Sequence, residues 1–132
     1  MRIAIVTDDG KTIQQHFGRA TQYLVLTIED GKIVGRELRP KLGHTQFSPD
    51  HSVDEPADQP HGFGAAARHR HGRMMETIQD CQVLLAGGMG QGARANLVEL
   101  GIQPVLTDLH TIDDAVAAFL AGTLVDRADR LH

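Results

Sequence analysis

Cysteine occurs once in this chain of 132 residues, at Cys81; tyrosine occurs once and tryptophan not at all. A single thiol excludes an intramolecular disulfide framework and any zinc site built from several cysteines. No apolar run approaches the ~20 residues a membrane-spanning helix needs. The opening stretch Met1-Arg2-Ile3-Ala4-Ile5-Val6-Thr7 lacks the long apolar core and cleavage site of a secretory signal, so a soluble cytoplasmic protein is expected. Basic charge is scarce too: 13 Lys and Arg against 17 Asp and Glu leave a net −4, which argues against a nucleic-acid surface. What is present, 41% hydrophobic and 23% charged residues, suits a single globular domain over residues 1–132. Histidine is the anomaly, with eight copies.

Arg2 to Thr7 is a β-branched apolar run, apolar on both faces, which predicts a central strand. Tyr23–Glu29 and Lys32–Leu38 read as two further strands joined by Asp30-Gly31, a dipeptide suited to a two-residue type I′ hairpin. From Pro40 to about Phe63 periodicity vanishes, and four of the five prolines fall there. This proline- and histidine-rich insertion, about 40–63, is an excursion whose two ends must meet near one sheet. A helix is expected within Gly64–Gln79, with Met74, Met75 and Ile78 on its apolar face. Next come a buried strand (Gln82–Ala86), a glycine loop (Gly87–Gly92), a helix from Ala93 to Leu100 stopped by Gly101, and a strand (Gln103–Thr107). That is a parallel, right-handed βαβ unit. A last helix starts after Thr111, an N-cap with Asp113 and Asp114 in its first turn. The expected fold is α/β, a mixed five-stranded sheet of the ribonuclease H-like kind, antiparallel meander plus parallel βαβ, covered by helices.

Three stretches could carry chemistry. In Gln14-Gln15-His16-Phe17-Gly18-Arg19, His16 could offer a ring nitrogen to a metal and Arg19 a fixed positive charge to an anion. Equally, Phe17 could plug the core and Gly18 permit the turn, with His16 a surface residue. Five histidines (His44, His51, His61, His69, His71) lie between the third strand and the following helix. Histidine-rich tracts hint at metal binding, but no H-x-x-x-H or C-x-x-C frame is present, and a solvated loop reads as well. In Gly87-Gly88-Met89-Gly90-Gln91-Gly92, successive glycines ahead of a helix can cradle an anion or simply let strand and helix pack tightly. A loose dinucleotide fingerprint runs through Gly90, Gly92 and Ala95, with Asp108 at the end of the next strand. Asp8 and Asp9 read as turn formers, Cys81 as a packed thiol, and no serine or cysteine occupies a nucleophile elbow.

His16-Phe17-Gly18-Arg19-Ala20 after an Ile-Ala-Ile-Val-Thr strand, and Val83-Leu84-Leu85-Ala86-Gly87-Gly88-Met89-Gly90-Gln91-Gly92-Ala93 before a helix, together resemble the dinitrogenase iron–molybdenum cofactor biosynthesis family. The resemblance covers nearly the whole chain apart from the insertion. It implies a ribonuclease H-like fold and a non-catalytic protein that holds an iron–molybdenum cofactor or another metal–sulfur cluster, exchanging it with donor and acceptor proteins. On that resemblance His16, Phe17, Gly18 and Arg19 become cofactor contacts, together with Gly87, Gly88, Met89, Gly90 and Gly92. His16, His69, His71 and His61 become the candidate metal ligands.

Such clusters are anionic and arrive with their own sulfide, so one or two histidines at open metal positions suffice without a cysteine cage. Binding is expected to fall in acid, because an imidazole, with a reference pKa of about 6.5, must be neutral to ligate. Two rival readings remain: a nucleotide- or phosphate-binding module using Gly87–Gly92 and Asp108, and a regulatory interaction protein whose histidines are incidental.

Overall fold

Arg2–Thr7 forms β1, and its doubly apolar pattern has the expected consequence: Ile3 to Thr7 are all buried and β1 occupies the middle of the sheet. The computed structural model describes residues 1–41 and 75–131. β2 (Gln22–Glu29) and β3 (Lys32–Pro40) complete an antiparallel meander with β1. Their turn has the predicted chemistry, since Asp30 (φ 53°) and Gly31 (φ 73°) both adopt the left-handed conformation of a type I′ turn. A register irregularity at Thr27/Ile28 bends the β2–β3 ribbon. β3 is one of the two edge strands and is largely exposed, with Lys32, Arg36 and Arg39 along it. Charges on an edge discourage pairing with another chain.

β4 (Val83–Ala86) and β5 (Gln103–Leu106) add to the other side of β1, both parallel to it, giving the order β3-β2-β1-β4-β5. The mixed five-stranded sheet is thus as expected. Between β4 and β5 lies α1 (Gln91–Glu99), which begins two residues earlier than the periodicity predicts and so takes in Gly92. Gly101 (φ 79°) ends it: the Gly101 amide donates to the Val98 carbonyl (3.0 Å) and the Ile102 amide to that of Leu97 (2.9 Å). These two bonds close a Schellman motif. α2 (Ile112–Leu120) starts at Thr111, whose side chain accepts from the Asp114 amide at 3.3 Å. Ile112, Ala115 and Val116 pack inward, whereas Leu120 is exposed. The core runs through β1, β2 and β4 and includes Tyr23, Leu26, Leu84 and Leu97. Complete burial of such a side chain contributes about 1.5–3 kcal/mol.

The helix expected within 64–79 is described only from Met75 onward. There the chain makes a 3₁₀ turn, Glu76–Ile78, that buries Met75 and Ile78. The rest of that stretch, and the insertion beyond Lys41, lie outside the described residues. The far end of the insertion, near residue 63, is outside the described residues, but the described segments on either side of 42–74 meet. The Thr77 hydroxyl donates to the Pro40 carbonyl (2.7 Å), and Arg39 grips the Asp80 carboxylate through both terminal nitrogens (2.6 and 3.1 Å) while donating to the Thr77 carbonyl (2.8 Å). Among the described residues no helix is long and apolar enough to cross a membrane.

Candidate functional site

From β1 the chain turns to β2 on one side, while β4 lies parallel to β1 on the other and continues outward to β5. The strand order therefore reverses between β1 and β4. In open α/β sheets the carboxyl ends of the strands at such a point are where ligands bind. Residues 8–16 leave β1 there, and residues 87–90 leave β4 there.

Asp8 and Asp9 build the exit from β1. Asp9 accepts from the amides of Lys11 and Thr12 (both 2.8 Å), which hold its carboxyl well below the usual carboxylate range. Asp8 accepts from the Thr21 amide (2.9 Å) and from the Gln14 side chain (2.6 Å). Both are turn formers, as expected. The returning segment then threads between the two strand ends. The Gln14 amide donates to the Val6 carbonyl (2.9 Å), the Gly87 amide to that of Gln14 (3.0 Å), and the Phe17 amide to that of Gly88 (2.9 Å). His16 is thereby held at the mouth of the β1–β4 junction, exposed, with Gly18 and Arg19 exposed beyond it in the short 3₁₀ turn Phe17–Arg19.

Phe17 is different. Its ring is buried, packs tilted against Tyr23 (centroids 6.4 Å apart) and lies under the Lys41 ammonium, 4.6 Å from the ring centre. Burial pushes the Lys41 amine down to about 8, with Asp8 opposing. Met89 is buried too. These two expected contact residues therefore have their side chains in the core, because a turn that displays His16 needs an apolar anchor beneath it. His61, His69 and His71 lie outside the described residues.

The glycine loop closes against the His16 segment. A Cβ on Gly87 would come within 2.7 Å of the Gln15 Cα, so glycine is required here by the approach of another stretch of backbone. The Gly87 amide is engaged by Gln14, and Gly88 is buried. Gly90 is half-buried and is the N-cap of α1, while Gly92 is buried in its first turn. Asp108, the acid suited to a ribose, is instead paired with Arg127 at 2.7 Å. The loop's geometry is therefore that of strand-to-helix packing joined to the His16 segment.

The chain's last described stretch completes the site, and sequence reasoning missed it. The Asp126 carboxylate accepts from the Leu106 amide (2.9 Å) and the Arg127 amide donates to the Leu106 carbonyl (2.7 Å), so the tail runs beside the outer strand. Leu131 then bridges to Met89. In between, Arg130 donates through Nε to the Gly87 carbonyl and through a terminal nitrogen to the Gln15 side-chain oxygen. Gln15, His16, Gly87, Asp129 and Arg130 border an open concavity of about 410 Å³. The only signal in the sequence was the alternating charge of Arg127-Ala128-Asp129-Arg130. Nothing local connects that tetrad to a loop more than a hundred residues earlier.

Among the described residues no group of three or more His, Cys, Asp or Glu side chains could enclose a metal ion. Cys81 is buried, and burial with Asp80 alongside pushes its thiol up to about 12, which makes it inert as a nucleophile or ligand. Among the described residues the site thus offers the exposed imidazole of His16, the Arg130 guanidinium held by Gly87 and Gln15, and an open mouth. It suits an anionic ligand that brings its own coordination sphere.

The family model for the dinitrogenase iron–molybdenum cofactor matches residues 1–122. The FeMo cofactor biosynthesis protein NifB of Frankia alni is 31% identical over 127 residues, 96% of this chain and 22% of that protein, so the chain spans about a fifth of this relative's length. The protein MJ0580 of Methanocaldococcus jannaschii is 23% identical over 124 residues, 94% of this chain and 89% of that one. Among solved structures, the apo form of the orange protein of Desulfovibrio gigas matches with a TM-score of 0.66 at 22% identity, covering 96% of this chain and 92% of that one, a likeness of fold. With the match running through the strand order, the His16 turn and the glycine loop alike, the chain belongs to the dinitrogenase iron–molybdenum cofactor family.

Proposed function

We propose that this chain is a non-catalytic carrier, on a ribonuclease H-like scaffold, that binds an iron–molybdenum cofactor or a related metal–sulfur cluster and passes it between donor and acceptor proteins. The observation that carries this reading is the exposed His16 at the reversal point of the sheet, beside Arg130 and over the Gln15–Gly87 contact. The cluster is cargo and already bears sulfide. A single imidazole at an open metal position can hold it reversibly, whereas a closed cage of protein ligands would retain it. The family and the cofactor-biosynthesis name of the Frankia relative support this cargo, and the description of the orange protein as an apo form supports a ligand at this fold. Gly18 and Arg19 border the same turn and are assigned to the cargo's outer face. Phe17 and Met89 support it from beneath, and Gly87, Gly88, Gly90 and Gly92 shape the wall.

The test is anaerobic incubation with iron–molybdenum cofactor, followed by gel filtration, metal analysis and visible spectroscopy. The wild-type chain is expected to retain molybdenum and iron with a visible band, and His16→Ala to lose both. Equal retention by His16→Ala would show that the imidazole is not the ligand.

A further inference from the structure

We infer that Arg130, carried on the C-terminal strap of residues 126–131, is the cation that grips the anionic cargo beside His16. The inference rests on the cargo reading above. It adds a residue that lies beyond the family match, which ends at residue 122.

The geometry distinguishes Arg130 from Arg19, which is exposed on the His16 turn with no contact that holds its guanidinium among the described residues, and from Arg94 and Arg127. Arg127 is paired with the carboxylates of Asp108 (2.7 Å) and Asp129 (3.2 Å), and Arg94 with that of Asp126 (3.2 Å). Their charges are compensated. Arg130 is oriented by two neutral acceptors, the Gly87 carbonyl and the Gln15 amide oxygen, and forms no salt bridge among the described residues. Neutral acceptors fix a guanidinium plane without cancelling its charge. Asp129, the one carboxylate among the described residues that borders the concavity, is hydrogen-bonded to Arg127, which chiefly holds its carboxyl below the usual range, with Arg130 a lesser contributor. The result is a fixed positive centre in the wall that also bears the exposed His16.

Placement on the strap follows from physical chemistry. A charge of this kind must be half-buried to resist screening, and the tail achieves this by docking Asp126 and Arg127 on Leu106 and Leu131 beside Met89. Since Arg130 joins the β1 exit segment to the β4 exit loop, the strap also sets the distance between the imidazole and the glycine wall.

The probe is tetrathiomolybdate, a sulfide-bearing molybdenum dianion, titrated into the full chain anaerobically at low and high salt and followed by visible absorption and calorimetry. Arg130→Gln is expected to weaken binding roughly 10- to 100-fold, the loss of one charge-assisted contact, and to flatten its salt dependence, a change that a merely structural role would not produce. Arg130→Lys should recover part of the affinity. Asp129→Asn, which removes the nearby negative charge, should tighten binding. Arg130→Gln binding as tightly as wild type, with the same salt dependence, overturns the inference and leaves the cargo reading standing. Failure of the wild-type chain to take up the probe at all overturns this inference, while the cargo reading is decided separately by the incubation with iron–molybdenum cofactor. If thermal unfolding shows that Arg130→Gln does not fold, Asp129→Asn decides: tighter binding supports the inference and unchanged binding overturns it.

Discussion

Lys41 has its ammonium 4.6 Å from the Phe17 ring, beneath the turn that displays His16, and burial lowers its pKa from 10.5 to about 8. Exchanging it for methionine keeps the length of the side chain and removes the charge. The unfolded chain holds the lysine proton to about pH 10.5 and the native chain only to about pH 8, so between these values the unfolded state binds more protons and unfolding free energy rises with pH. At about 1.4 kcal/mol per pH unit, the wild type should gain about 2.5 kcal/mol on Lys41→Met between pH 7 and 10. Below pH 8 the gap between the two proteins should be constant. Urea unfolding of both at several pH values measures it, and the comparison is needed because Cys81 acts oppositely. Its thiol, raised from 9.0 to about 12, stays protonated in the native state while the unfolded chain ionises, so its contribution is lost as pH climbs from about 9 to 12. That loss is common to both proteins and cancels. A gap that stays level from pH 7 to 10 would refute the reasoning, since it would mean that folding does not disfavour the Lys41 charge.

Two further outcomes follow from the local geometry. Gly87→Ala places a Cβ 2.7 Å from the Gln15 backbone and should cost about 1–3 kcal/mol, measured by thermal unfolding, while also weakening cluster retention by displacing the His16 turn. Thr111→Ala removes the N-cap of α2 and should cost about 1 kcal/mol with no effect on cluster binding, a useful contrast in the same pair of assays.

Much of the fold was legible because its determinants are local. The Asp30-Gly31 turn, the Gly101 stop and the Thr111 cap each depend on backbone conformations that a few adjacent residues decide, and each is found where the residues put it. The apolar run of β1 identified the central strand for a related reason, since only a strand covered on both faces can be apolar throughout. The helix expected before β4 is a 3₁₀ turn where it is described, because Arg39 and Pro40 draw Thr77 and Asp80 into contacts with the end of β3. Phe17 shows the same limit within the candidate site. The motif containing it was recognisable, but whether its ring served cargo or core depended on Tyr23 and Lys41 packing against it.

By itself the sequence determined the strand–turn–strand meander, the βαβ unit, the family resemblance and the display of His16 in a loop after the first strand. The tertiary structure alone decided that Gly87 yields to Gln15, that Phe17 and Met89 face inward, and that Arg130 completes the concavity. Turns and caps are settled by steric and hydrogen-bonding preferences within a few residues. The contacts of Arg130 join positions 43 and 115 residues apart, and no local preference can encode a meeting that exists only once the sheet has brought the ends of β1 and β4 side by side.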